Sequence, residues 1–210
     1  MTIRRHVVVF TRELRLGRGK RRLANRIGAL AALHFQRVAL RALLYRLGTD
    51  SRWTVWIAMT PDRGRLTIGR PPGLPIRSQG GGDLGERMRR PMRRPPLGLP
   101  PGPVVIIGSD IPDIRVRHIG QAFRTLERHA FVFGPARDGG YWLVGSRRRP
   151  AETPDIFRGV RWSTEHALAD TLKNLSTAQV GPALPVLEDV DDAEAWRRWR
   201  RRPSFGFTVN

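Results

Sequence analysis

The residues best suited to chemistry are carboxylates that close apolar runs. Asp110 ends Pro103-Val-Val-Ile-Ile-Gly-Ser-Asp110, the strongest strand pattern in the sequence. A carboxylate at the C-terminal end of a central strand lies where open α/β sheets hold their ligands. Asp138 sits between Arg137 and Gly139-Gly140 in the stretch Phe133-Gly-Pro-Ala-Arg-Asp-Gly-Gly-Tyr-Trp-Leu-Val-Gly145, flanked by two aromatic and β-branched runs. Two readings fit that stretch: a hairpin with an Asp-Gly turn, which needs no function, and a substrate loop presenting Arg137 and Asp138. Asp189 and Asp191 precede the last helix in Leu184-Pro-Val-Leu-Glu-Asp-Val-Asp-Asp192. Asp191 with Glu194 fits a capping box, so Asp189 and Asp191 compete for a functional role.

Cationic and glycine-rich segments supply the complementary chemistry. Leu16-Gly-Arg-Gly-Lys-Arg-Arg-Leu23 follows a strand pattern and enters a helix, the order of a phosphate cradle. It departs from the P-loop, because Gly19 comes too early and no Ser or Thr follows Lys20. A solvated basic turn accounts for it equally well. Gln79-Gly-Gly-Gly-Asp-Leu-Gly-Glu-Arg-Met88 places Asp83 as a helix N-cap with Glu86 three residues on. Capping alone explains Asp83, whereas consecutive glycines cost chain entropy and suit a backbone that must approach a ligand closely. Ser163 reads as the N-cap of a helix over 164–175, where its hydroxyl and the first amides could also receive a phosphate.

The elements that must position these residues alternate along the chain. His6-Val-Val-Val-Phe-Thr11 and Arg52–Met59 read as buried strands, with a helical stretch over 24–47 between them. Ile27, Leu30, Ala31, Phe35, Val38 and Ala42 would form its apolar face, and Gly48 its stop. Residues 60–79 are punctuated by Pro and Gly and read as loop with a short strand at 65–68. Residues 89–103, rich in Pro, Arg and Gly, read as a mobile surface loop inside one domain spanning 1–210. A helix over 115–128, which Asp113 would cap, precedes the Arg137-Asp138 stretch. This alternation predicts a three-layer α/β sandwich with a mainly parallel sheet.

Composition narrows the function classes. The chain of 210 residues has no cysteine, which excludes disulfides, thiolate catalysis and cysteine-ligated zinc. No apolar run approaches the ~20 residues that span a bilayer, and Val7-Val-Val-Phe10 is too short for a signal-peptide core. A cytoplasmic enzyme or binding protein is the expectation. The formal charge of +20 suggests polyanionic partners. Of the 38 basic residues, however, Lys20 and Lys173 are the only lysines, leaving 36 arginines spread over the whole chain. A nucleic-acid footprint would cluster on one face, so no specific nucleic-acid partner is expected.

Taken in order, the basic loop 16–24, the glycine motif 79–88, Gly108-Ser-Asp-Ile-Pro-Asp113, Gly134–Tyr141, Trp162-Ser-Thr164 and Asp189-Val-Asp191 resemble a bacterial transferase family. Its members are described as radical-SAM- and selenium-associated, or arsenosugar-biosynthesis, glycosyltransferases. The resemblance covers nearly the whole chain and implies the GT-A, or nucleotide-diphospho-sugar transferase, fold with a mainly parallel mixed sheet. The chain departs from the family pattern at Glu13-Leu-Arg-Leu16, at Lys20-Arg-Arg-Leu23 and at Ile111. The resemblance implies a nucleotide or nucleotide-sugar ligand and a small-molecule acceptor. Arg18, Lys20 and Arg22 would meet its phosphates, with Gln79, Gly81, Gly82, Asp83 and Ser163 lining the nucleotide side. Mg²⁺ or Mn²⁺ would sit on Asp110 with Asp191 or Asp189. Asp110, Asp138 and Arg137 would serve the reacting centre. Three activities follow as expectations: glycosyl transfer, nucleotidyl transfer from a nucleoside triphosphate, and non-catalytic nucleic-acid binding by an arginine-rich protein.

Overall fold

The computed structural model describes residues 4–95, 98–148 and 155–201. Alternation of side chains along the strands builds two apolar faces on one sheet. Strand β1 (His6–Arg12) turns Val7 and Val9 to one face and Val8 and Phe10 to the other. It pairs in parallel with β2 (Thr54–Thr60) on one side and β4 (Val104–Gly108) on the other. Strand β3 (Ile76–Ser78) extends the β2 edge in parallel. The hairpin of β5 (Phe131–Pro135) and β6 (Tyr141–Ser146) joins through an antiparallel β4–β6 ladder. The order β3-β2-β1-β4-β6-β5 is a mainly parallel mixed sheet that reverses its winding between β1 and β4. Such a reversal leaves a crevice at the strands' C-terminal ends.

Helices α2 (Ala29–Gly48) and α4 (Val116–Arg128) cover the Val7/Val9 face. Helices α3 (Leu84–Arg93) and α5 (Ala167–Lys173) cover the Val8 face, and the three layers are those expected of the α/β sandwich. The helical stretch after β1 is broken, because Gly28 at φ 89 separates α1 (Arg21–Ile27) from α2. The break rephases the second helix. Leu30 and Val38, expected inside, are exposed; Phe35 is buried as expected, and Leu33, Leu40, Leu43, Leu44 and Leu47 form the stripe that faces the sheet. A third cluster joins Leu23 and Phe35 to α6 (Ala193–Arg200), where Phe35 and Trp199 meet edge to face at 4.9 Å.

Other boundaries also moved. The strand expected at 65–68 lies instead at β3, paired with Ile57–Met59. Residues 89–93, read as loop from their Pro and Arg content, complete α3: Met88 and Met92, one turn apart, are buried under the sheet and hold the helix past Pro91. Pro96 and Leu97 of that stretch lie outside the described residues. Arg115, not Asp113, occupies the N-cap of α4, and Asp113 lies 3.9 Å from the Arg115 guanidinium. No helix of the described residues is long and apolar enough to cross a membrane.

Candidate active site

The basic loop delivers Lys20 to the crevice between β1 and β4. Lys20 takes left-handed backbone angles (φ 40) at the start of α1, and its side chain turns inward to 3% exposure. Its ammonium lies 3.2 Å from Asp110 Oδ2 and 2.9 Å from Asp191 Oδ1. Burial alone would push this ammonium's pKa down, but the charges of Asp110 and Asp191 outweigh it and hold the pKa above its ordinary value. The carboxylates remain 45% and 51% exposed, so their outer oxygens stay open to ligands. Arg18 and Arg22 are exposed, and of the three expected phosphate contacts Lys20 is the one built into the site.

Asp191 is available because the cap of α6 lies one residue later than the sequence pattern implies. Asp192 accepts from Ala195 N at 2.8 Å, replacing the expected Asp191–Glu194 box. The segment carrying Asp189 is strapped to the sheet by Leu184 N to Phe133 O, Leu187 N to Pro135 O, Arg137 N to Leu187 O and Val190 N to Asp110 O. Trp142 Nε1 donates to Pro185 O at 3.0 Å on the same strap. Asp189 is thereby half-buried, and its pKa is raised, first by burial and then by Asp191, Asp138 and Asp110 against the opposing charge of Lys20.

The Arg137–Gly140 stretch is the β5–β6 hairpin turn, which is the hairpin reading of it. Asp138 Oδ1 accepts from Gly140 N at 3.0 Å, while the carboxylate also lines a cavity. Gly139 (φ +82) carries a packing constraint: an added Cβ would stand 2.1 Å from Glu165 O. This close approach ties the hairpin to the loop holding Trp162 and Ser163, with Leu168 N donating to Gly139 O at 3.1 Å. Ser163 is not the helix cap, since α5 starts at Ala167 and Thr164 Oγ1 accepts from His166 N. Ser163 instead stands at φ 60 on the cavity wall.

That cavity, of about 290 Å³, brings together Asp110, Asp138, Asp189 and Ser163 over an aromatic floor. Gln79 lies outside it. Its amide donates to Thr11 O and Ala58 O, both at 2.9 Å, and its oxygen accepts from Arg87, so this side chain fastens the glycine loop to β1 and β2. Asp83 caps α3, accepting from Glu86 N at 2.8 Å. Gly81 and Gly82 are exposed and, like Arg137, do not line the cavity. The residue sequence reasoning missed is Trp162, whose buried indole N–H has no protein partner among the described residues and which lines the cavity. Its signal was its place in Trp162-Ser-Thr164, one of the motifs that carry the family resemblance, and core packing explains such a residue equally well.

Among the described residues, no three His, Cys, Asp or Glu side chains stand ready as a metal cage. Mg²⁺ commonly takes one or two protein carboxylates and completes its shell with substrate phosphates. The hard oxygens of Asp110 and Asp191 are half-exposed, and Asp189 feels three carboxylates against one ammonium. This donor set fits such an ion.

The architecture is the GT-A-like, nucleotide-diphospho-sugar transferase fold. A candidate nucleotide-diphospho-sugar transferase from Desulfovibrio desulfuricans G20 is 28% identical and superposes with a TM-score of 0.83 over 97% of this chain and 90% of its own. Glucosyl-3-phosphoglycerate synthase from Mycobacterium tuberculosis, solved with Mn²⁺, UDP and glucosyl-3-phosphoglycerate, shares the fold at 12% identity and TM-score 0.51, over 90% and 72% of the two chains. CMP:2-keto-3-deoxy-manno-octonic acid synthetase complexed with CTP does so at 12% identity and 0.51, over 94% and 97%. The chain belongs to the family described as uncharacterized protein conserved in bacteria (DUF2064), whose profile matches residues 43–164. No curated protein matches it by sequence.

Proposed function

We propose that the chain is a metal-dependent glycosyltransferase that moves a sugar from a nucleotide-sugar donor to a small-molecule acceptor. The observation that carries this reading is the Asp110–Lys20–Asp191 bridge at the sheet's switch point, beside a cavity holding Asp138 and Asp189. The 28% identity to the Desulfovibrio protein and the family resemblance of the motifs to radical-SAM- and selenium-associated glycosyltransferases support it.

Asp110 and Asp191, with Asp189 beside them, would hold Mg²⁺ or Mn²⁺, which supplies positive charge near the leaving phosphate. Lys20 spends two of its three N–H groups on these carboxylates, keeping them in place and leaving one for a phosphate oxygen. Arg18 and Arg22 reach the diphosphate from the rim. Asp138, with one oxygen engaged by Gly140 N, offers the other to a hydroxyl of the sugar or acceptor, orienting it or taking its proton. The Trp162 N–H donates to a sugar oxygen, and Ser163 adds a hydroxyl on the same wall.

Nucleotidyl transfer is the second reading, favoured by near end-to-end overlap with the CTP-bound synthetase, against 72% coverage of the glucosyl synthase. A thermal-shift screen of nucleotide sugars and nucleoside triphosphates, with and without Mg²⁺ or Mn²⁺, tests both. Ligand at a hundred times its Kd adds about 2.7 kcal/mol, or roughly 5–10 °C for a chain of this size. Released nucleoside diphosphate supports the first reading and pyrophosphate the second. Absence of any metal-dependent nucleotide binding would sink both.

A further inference from the structure

We infer that the cleft between α3 and the face of β2–β3 that α3 covers is a second ligand site, taking a small phosphate ester with an apolar body. The cleft, of about 550 Å³, is rimmed by Arg77, Arg87, Arg90, Arg93 and Arg94, and among the described residues no Asp or Glu lines it. None of the five forms an ion pair with a carboxylate among the described residues. In a chain of net charge +20 unpaired arginines are common, so their number alone decides nothing. The floor does: Trp56, 3% exposed, lines the cleft with its indole N–H buried and without a partner among the described residues. A buried donor left unmade costs stability, and an acceptor brought in by a ligand would satisfy it.

The charged side chains lining it, among the described residues, are all guanidinium groups, whose planar fork matches phosphate oxygens in pairs. Arg87 and Arg90 are held in place by Gln79 Oε1 (3.2 Å) and Gln79 O (2.9 Å), so part of the rim is set before a ligand arrives. Phe10, Ala58 and Pro91 make the remaining wall apolar, which a free inorganic ion would not use. Phe10 also lines the carboxylate cavity, so the two spaces share a wall. Their charge is opposite: among the described residues the charged side chains lining one are carboxylates and those lining the other are guanidinium groups.

Calorimetric titration of the full chain with inorganic phosphate and with hexyl phosphate, without nucleotide or divalent ion, tests the site independently of the proposed catalytic activity. Hexyl phosphate is expected to bind at least tenfold more tightly than phosphate, since each buried methylene contributes about fourfold. Trp56→Phe keeps an aromatic ring and removes the donor, and should weaken hexyl phosphate about two- to tenfold. Arg93→Gln with Arg94→Gln should weaken it tenfold or more. Arg117→Gln with Arg124→Gln, exposed on α4, should change it less than twofold. Equal loss in the α4 variant would mean unspecific charge attraction and overturn the proposal. So would equal affinity for the two phosphates, or binding confined to phosphatidic acid vesicles.

Discussion

Replacing Asp110 and Asp191 together with asparagine strands the Lys20 ammonium, which is 3% exposed and has these two carboxylates as its partners. An uncompensated buried charge costs about 3–5 kcal/mol, which for a chain of this size lowers Tm by roughly 6–20 °C. Removing the cation instead, by Lys20→Met, leaves two half-exposed carboxylates that water can solvate. That change should cost only about 1 kcal/mol. The pair is thus asymmetric: the variant that removes the exposed partners is the damaging one, and adding Lys20→Met to the double variant should restore most of the loss. Urea unfolding of the native chain and the three variants measures this.

The pH dependence provides a second readout. In the native chain the Lys20 pKa is raised, so its contribution is present below the unfolded value of about 10.4 and lost as pH rises through the folded one. In the double variant the charges of Asp110 and Asp191 are gone and burial lowers the pKa, so stability should rise with pH through the window below about 10.4. Equal losses for Lys20→Met and the double variant, or no recovery in the triple variant, would refute the reasoning.

The remaining expectations rest on separate contacts. Gly139→Ala, with its Cβ 2.1 Å from Glu165 O and φ +82, should destabilise by about 2 kcal/mol or more, whereas Gly140→Ala, whose nearest contact is 3.2 Å, should cost under about 1 kcal/mol by chemical denaturation. The Arg161 hydrogen bonds outweigh burial and hold the Asp170 carboxyl well below the carboxylate range. Its contribution is present above about pH 4 and lost as pH falls further, so Asp170→Asn should flatten the acid limb of the stability curve. Asp189 has its pKa raised, so in the window just above the ordinary carboxylate range falling pH should increase stability while weakening metal-dependent nucleotide binding. Asp189→Asn should abolish both slopes, as followed by urea unfolding and by titration with nucleotide and Mn²⁺.

The sequence by itself determined the central strands and their burial, though not the short edge strand β3. Val7-Val-Val and Val104-Val-Ile-Ile can be satisfied only inside a covered sheet, and the hairpin at 131–146 follows from two apolar runs around Asp-Gly-Gly. It also singled out Asp110, because a carboxylate ending a buried strand has little else to do there. Tertiary structure decided what patterns of 3.6 residues leave open. Gly28 rephased α2, and the packing of Met88 and Met92 carried α3 through residues that read as loop. The site itself was the least legible part. Whether Asp191 or Asp192 caps α6 differs by one residue in the chain, yet it decides whether Asp191 is spent on a backbone amide or meets Lys20, 171 positions away. Local pattern fixes which side chains could cap or pair. The choice among them is made by burial, which turned the one lysine of an arginine-rich loop inward between two distant aspartates.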